Sequence, residues 1–143
     1  MRFKTKRISR DFWDHTDYFL RVVLEKLDEY CSTRWHKHIM LTCLVRSPEE
    51  NKRADGVPNS KHMPNRFGKC CAADIRIVNE GHPNEMEWLT GEEAQDVVKY
   101  FRNELAEKRG DAILLKVNHI HVQVAIRDME RNNKPIYFIG QVE

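Results

Sequence analysis

Apolar residues recur at helical spacing from about Asp11 to Tyr30. Phe12, Phe19, Leu20, Val23, Leu24 and Leu27 form the stripe, Cys31 extends it, and Arg21, Glu25, Asp28 and Glu29 lie on the other side. The pattern predicts one amphipathic helix with Ser9 as its N-cap. Ile39 to Val45 reads as a short strand that stops at Arg46-Ser47-Pro48. From Pro48 to about Lys69 the chain mixes Pro, Gly, Asn and charge, which predicts a long surface loop. Loops of this length in a compact domain are usually functional or disordered. Cys70 to Val78 reads as a buried strand, with Ile75 and Ile77 on one face and Ala72, Asp74 and Arg76 on the other.

After a turn at Gly81-His82-Pro83-Asn84, Thr90 and Glu93 form a capping box for a second helix. Ala94, Val97, Val98, Phe101 and Leu105 are its apolar stripe, and Lys108, Arg109 and Gly110 close it. Two strands follow, Ala112–Val117 and His119–Ile126, with a bend near Asn118. Ile136 to Ile139 would add an edge strand. The order predicts an α+β fold, with helices packed on a largely antiparallel sheet. A single domain over residues 1–143 is expected, with its core at about 9–126 and a C-terminal extension over 127–143.

Length changes this picture little: 143 residues suit one domain and need no disulfides to bury a core. The four cysteines, Cys31, Cys43, Cys70 and Cys71, have no C-x-x-C spacing and read as reduced, mostly buried thiols. A net charge of +2 is too near balance to argue for nucleic acid. The basic start (Arg2, Lys4, Lys6, Arg7, Arg10) and Lys52, Arg53, Lys61 and Arg66 make no aromatic-interleaved stripe. Asp11, Asp14 and Asp17 stand where a signal peptide would carry apolar residues, and no run reaches the roughly 18 apolar residues of a membrane span. The expectation is a monomer that is cytoplasmic as synthesised, with neither membrane nor nucleic acid as a partner.

Chemistry concentrates at two places. Alternation along the last long strand puts Ile120, Val122, Val124 and Ile126 on the core face. His119, His121, Gln123 and Ala125 then share the opposite face. The two imidazoles lie about two strand rises apart, roughly 6–7 Å. One can bind a metal while the other sits beside metal-activated water. Asp74, flanked by the small Ala72 and Ala73, is a carboxylate on a mostly buried strand and needs a partner. That partner is a metal or an arginine, Arg76 or Arg46. His62 comes from the loop before it. Imidazoles and one carboxylate are the donor set of a catalytic zinc ion, which takes three protein ligands and leaves one position open.

These residues carry a family resemblance. Leu41-Thr42-Cys43-Leu44-Val45-Arg46-Ser47, Ser60-Lys61-His62, Ala72-Ala73-Asp74-Ile75 and His119-Ile120-His121-Val122 resemble, in matching order, the core motifs of the M15 peptidases. These are the D-alanyl-D-alanine carboxypeptidases and phage peptidoglycan endopeptidases. The resemblance implies zinc held by His62, Asp74 and His121, with Ser60 and Gln123 supporting the ligands through hydrogen bonds. It implies Arg46 at a developing oxyanion or a substrate carboxylate. Two departures stand out. His62 and Asp74 are twelve positions apart where the family usually has seven, with Cys70 at the place of a motif glycine and His82 as the fallback ligand. Asn118 occupies the position of the family's usual glutamate base. Related lysostaphin-like enzymes place the first histidine of H-x-H near the water, which assigns His119 as base or transition-state stabiliser. Glu85 and Glu87 read as solvated carboxylates. The implied function is zinc-dependent hydrolysis of a peptide bond in peptidoglycan stem peptides, in a phage lysis or virion protein or a cytoplasmic peptidase acting on wall fragments. The alternative is a non-catalytic zinc-containing binding module on the same fold, as in hedgehog domains.

Overall fold

The computed structural model describes residues 1–79 and 91–126. The elements run β1 (Arg2–Phe3), α1 (Lys6–Asp14), α2 (Tyr18–Trp35), β2 (Lys37–Cys43), α3 (Pro48–Arg53), β3 (Ala72–Asn79), α4 (Gly91–Tyr100), β4 (Ala112–Leu115) and β5 (Ile120–Gln123). The strands form one sheet in the order β1-β2-β3-β5-β4. Only β1 runs parallel to its neighbour; the other pairings are antiparallel. This is the expected α+β architecture, and no helix among the described residues is long and apolar enough to cross a membrane. The expected capping residue Thr90, the 81–84 turn, His82, Glu85, Glu87 and the 136–139 strand fall outside the described residues.

One face of the sheet is the core. Ile39, Leu41, Ile75, Ile77, Ile120, Val122 and Val124 pack there with Phe19, Leu20, Val23, Leu24 and Leu27 of α2 and Val97 and Val98 of α4. Ile126, expected in that row, lies past the end of β5 and is 39% exposed.

The single helix expected over 11–30 is two helices. Thr5, not Ser9, caps α1 by accepting from the Ile8 amide. The buried Asp17 caps α2 by accepting from the Phe19 and Leu20 amides at 2.8 and 3.1 Å. The apolar stripe crosses the break because Phe12 of α1 and the α2 stripe share one core. The expected 48–69 loop begins with α3, where Ser47 and Glu50 form a capping box and Pro48 occupies the first turn. Asn51 of α3 donates to the Val57 carbonyl at 2.8 Å. Gly56 makes room for it, since a Cβ there would stand 2.0 Å from Asn51 Oδ1. The second helix stops earlier than expected, through a π-helical turn at Phe101–Leu105 closed by Ala106 N–H donating to the Phe101 carbonyl at 2.8 Å.

Candidate metal centre

Asp74 is the hub. Across the sheet it is registered with Cys43 on β2 and His121 on β5, so the three side chains share the non-core face. His62 reaches the same point from the 60–63 turn, which is pinned from three directions. Arg46 N–H donates to the His62 carbonyl (2.9 Å), Cys71 N–H to the Lys61 carbonyl (2.8 Å), and His62 N–H to Ser60 Oγ (3.2 Å). The extra length between His62 and Asp74 is taken up by a closed excursion around Asn65. Its side-chain oxygen accepts from the Phe67 and Lys69 backbone amides while its own backbone N–H donates to the Lys69 carbonyl. Both ends of the excursion return to the sheet, so His62 and Asp74 meet across twelve positions of sequence.

Three imidazoles converge on one oxygen. His62 Nε2 lies 3.2 Å from Asp74 Oδ1, His121 Nδ1 3.1 Å, and His119 Nε2 3.7 Å. Arg46 Nη2 stands 3.5 Å from the other carboxylate oxygen. His62 is 2% exposed and Asp74 8%. Two donors bound about 2.0–2.1 Å from a tetrahedral ion lie about 3.3 Å apart, close to the first two separations.

The far nitrogens decide what the near ones can do. His62 Nδ1 lies 2.8 Å from the Leu44 carbonyl oxygen, a pure acceptor, and must donate to it. His121 Nε2 lies 3.0 Å from Gln123 Oε1, and the Gln123 amide nitrogen donates to the Gly110 carbonyl at 3.3 Å, which fixes that amide's orientation. His119 Nδ1 lies 2.7 Å from Asn118 Oδ1. Each neutral ring therefore points a lone pair at a carboxylate that can only accept. Either extra protons or a cation must sit among them. Far-side hydrogen bonds to carbonyl oxygens are what holds metal-ligating imidazoles in the right tautomer.

The electrostatics place one such proton on His62 when no cation is bound. Burial disfavours a charged His62, but its hydrogen bonds to Asp74 and Cys43 outweigh that and raise it from 6.5 to about 9. Burial likewise opposes a charged Asp74, yet hydrogen bonding to His121 and His62 holds the carboxyl well below the carboxylate range. His119 is lowered, chiefly by burial.

A residue not anticipated for this site is Cys43. Its Sγ lies 3.9 Å from His62 Nδ1. Cys43, His62 and Asp74 could hold a metal ion, each offering a ligand atom within 4.8 Å of the other two. Sulfur sits on the Nδ1 side of the imidazole and Asp74 on the Nε2 side. The signal that placed Cys43 is a β-bulge. Leu41 pairs with Ile75, but Cys43, not Thr42, pairs with Asp74. Strand alternation alone cannot show such a shift. The other three thiols are buried, and burial pushes Cys31 and Cys70 up to about 12.

Of the expected site residues, His62, Asp74, His121, His119 and Arg46 come together, and Ser60 and Gln123 hydrogen-bond to two of them. Beside the cluster, between α1, β2 and α3, opens a cleft of about 600 Å³ lined in part by Arg7, Thr42, Cys43, Arg46, Glu50 and Arg53. No family model matches the chain, and neither a curated protein nor a solved structure does.

Proposed function

We propose that this chain is a zinc-dependent hydrolase that cuts a peptide bond, with His62, Asp74 and His121 as the metal ligands. The observation that carries the reading is the convergence of imidazole nitrogens on Asp74 Oδ1, with the far nitrogens of His62 and His121 each facing a carbonyl oxygen. Nitrogen and carboxylate donors, three in number, suit zinc with one position left open. Zinc, when bound, would acidify water toward a pKa of about 7 and polarise a carbonyl.

The chain's own residues supply the rest. Asn118 cannot act as a base, but it accepts from His119 Nδ1 and so leaves His119 Nε2 as a proton acceptor facing the centre. Arg46 lines the cleft and offers guanidinium donors where negative charge develops. Its Nη1 leans on Asn51 Oδ1 at 3.4 Å, so α3 helps to set its direction. The 600 Å³ cleft is of the size that takes a short peptide or a comparable ligand. The substrate class, peptidoglycan stem peptides, rests on the M15 resemblance alone, as does release to the cell wall.

The non-catalytic module remains the second reading, favoured by Asn118 at the place of the family's glutamate. Digestion of purified peptidoglycan, followed by mass spectrometry of released peptides, separates the two. Cleavage lost with a chelator and restored by zinc is the expected result. One zinc per chain with no cleavage would favour the module, and no zinc binding at all would overturn both.

A further inference from the structure

We propose that the Cys43 thiol is an exchangeable fourth ligand to the cation held by His62 and Asp74, so that the centre alternates between a sulfur-closed and a solvent-open form. This rests on the metal reading above and adds a residue the three-ligand assignment leaves out.

The placement is built into the sheet. Had β2 kept the register of Leu41 with Ile75, Thr42 would stand opposite Asp74 and Cys43 would turn to the other face. The bulge inserts Thr42 as the extra residue, and Thr42 Oγ1 donates to the Asp74 carbonyl at 3.2 Å. Bulges re-aim side chains in this way beside active sites. The outcome is a row of Cys43, Asp74 and His121 across three neighbouring strands, with the buried His62 above it. Cys43 is also the one cysteine of the four outside the buried core, and it lines the cleft beside the centre.

Exchange follows from the same geometry. Sγ now lies beside His62 Nδ1, whereas Asp74 lies at Nε2, and a turn about the Cys43 side chain would bring sulfur toward the shared ion. On entering, the thiol gives its proton to solvent, sulfur donates an electron pair to the ion, and a water leaves. Nothing is oxidised. Four protein ligands close a zinc site, and three leave it open. A soft sulfur donor also biases the centre toward zinc and cobalt over magnesium and calcium.

Cobalt(II) tests this directly. Full-length protein, stripped with a chelator and loaded with cobalt, should show a near-ultraviolet sulfur-to-cobalt charge-transfer band. Cys43→Ser should lose that band but keep the visible bands of tetrahedral cobalt, which also certify that the variant is folded and loaded. In parallel, zinc should slow alkylation of Cys43, followed by mass spectrometry, by roughly tenfold or more, because a coordinated thiolate is no longer a free nucleophile. Visible cobalt bands without the sulfur band, together with alkylation indifferent to zinc, would overturn the assignment and leave the three-ligand centre standing. Failure of the wild type to bind cobalt would overturn both.

Discussion

Two carboxylates in this molecule are held below their usual range by hydrogen-bond partners of different kinds. Glu50 sits at the surface. Arg7 grips it with two nitrogens at 2.8 and 2.9 Å, and the Ser47 amide donates to it at 3.0 Å. Those hydrogen bonds and the Arg7 charge bring it from 4.5 to about 2. Every group facing Glu50 is a donor with protons to spare, so the cluster is complete as it stands. Asp74 sits in the sheet with one arginine at 3.5 Å and three imidazoles whose far-side protons are already committed. The Glu50 donors keep their protons, whereas the proton His62 gives Asp74 is one that a cation would displace, and depressed titration alone does not distinguish the two.

The comparison breaks first at the hub. Asp74→Asn or His121→Ala should abolish zinc retention through dialysis, a larger loss than the roughly 10–100-fold seen when an outer hydrogen-bond partner is removed. Metal analysis of the dialysed variants reads this, and full occupancy in either would refute the ligand set. His119→Ala should keep the metal yet slow turnover by on the order of 100-fold. An unchanged rate would move the base elsewhere.

Protons sharpen the contrast next. The His62 pKa is raised, so its pairing with Asp74 stabilises the chelated protein fully below about 6.5 and loses that contribution as pH rises through about 9. Thermal melts of chelated protein should fall over that window, and zinc should remove much of the fall. Over the same window zinc must displace the His62 proton, so its affinity should rise up to about tenfold per pH unit. A pH-independent affinity would contradict the tautomer assignment.

Smaller effects separate the two carboxylates. Gln123→Ala should weaken zinc by about tenfold, because His121 loses the acceptor that orients it. Glu50→Gln should leave zinc affinity untouched and cost only about 0.2–1 kcal/mol in denaturant titrations, as exposed ion pairs do. That contribution is present above the ordinary carboxylate pKa of 4.5 and vanishes as pH falls through about 2. A zinc effect at Glu50 would erase the distinction.

Much of this was legible in the sequence. Alternation in β5 placed His119 and His121 on the face away from the core, and Ala72 and Ala73 marked Asp74 as a strand carboxylate with space around it. The apolar stripes of α2 and α4 gave the layer that packs on the sheet. What stayed hidden depended on backbone detail. Asp17 interrupts the first helix without interrupting its stripe, because a cap changes direction while burial continues. Ser47-Pro48-Glu49-Glu50 is itself a helix-start signature inside a stretch whose later Pro, Gly and charge suggested loop. The bulge at Thr42 has no compositional mark, so Cys43 could not be set beside Asp74. The far-side acceptors of the imidazoles include a main-chain carbonyl, Leu44, which no side-chain pattern announces.

Calorimetric titration of zinc into chelator-stripped protein bears most directly on the central claim. One ion per chain, bound tightly and with release of a proton near neutral pH, is the predicted result. No saturable binding at any pH between 6 and 9 would mean that Asp74 is satisfied by protons and Arg46 alone, and the hydrolase proposal would fall with it.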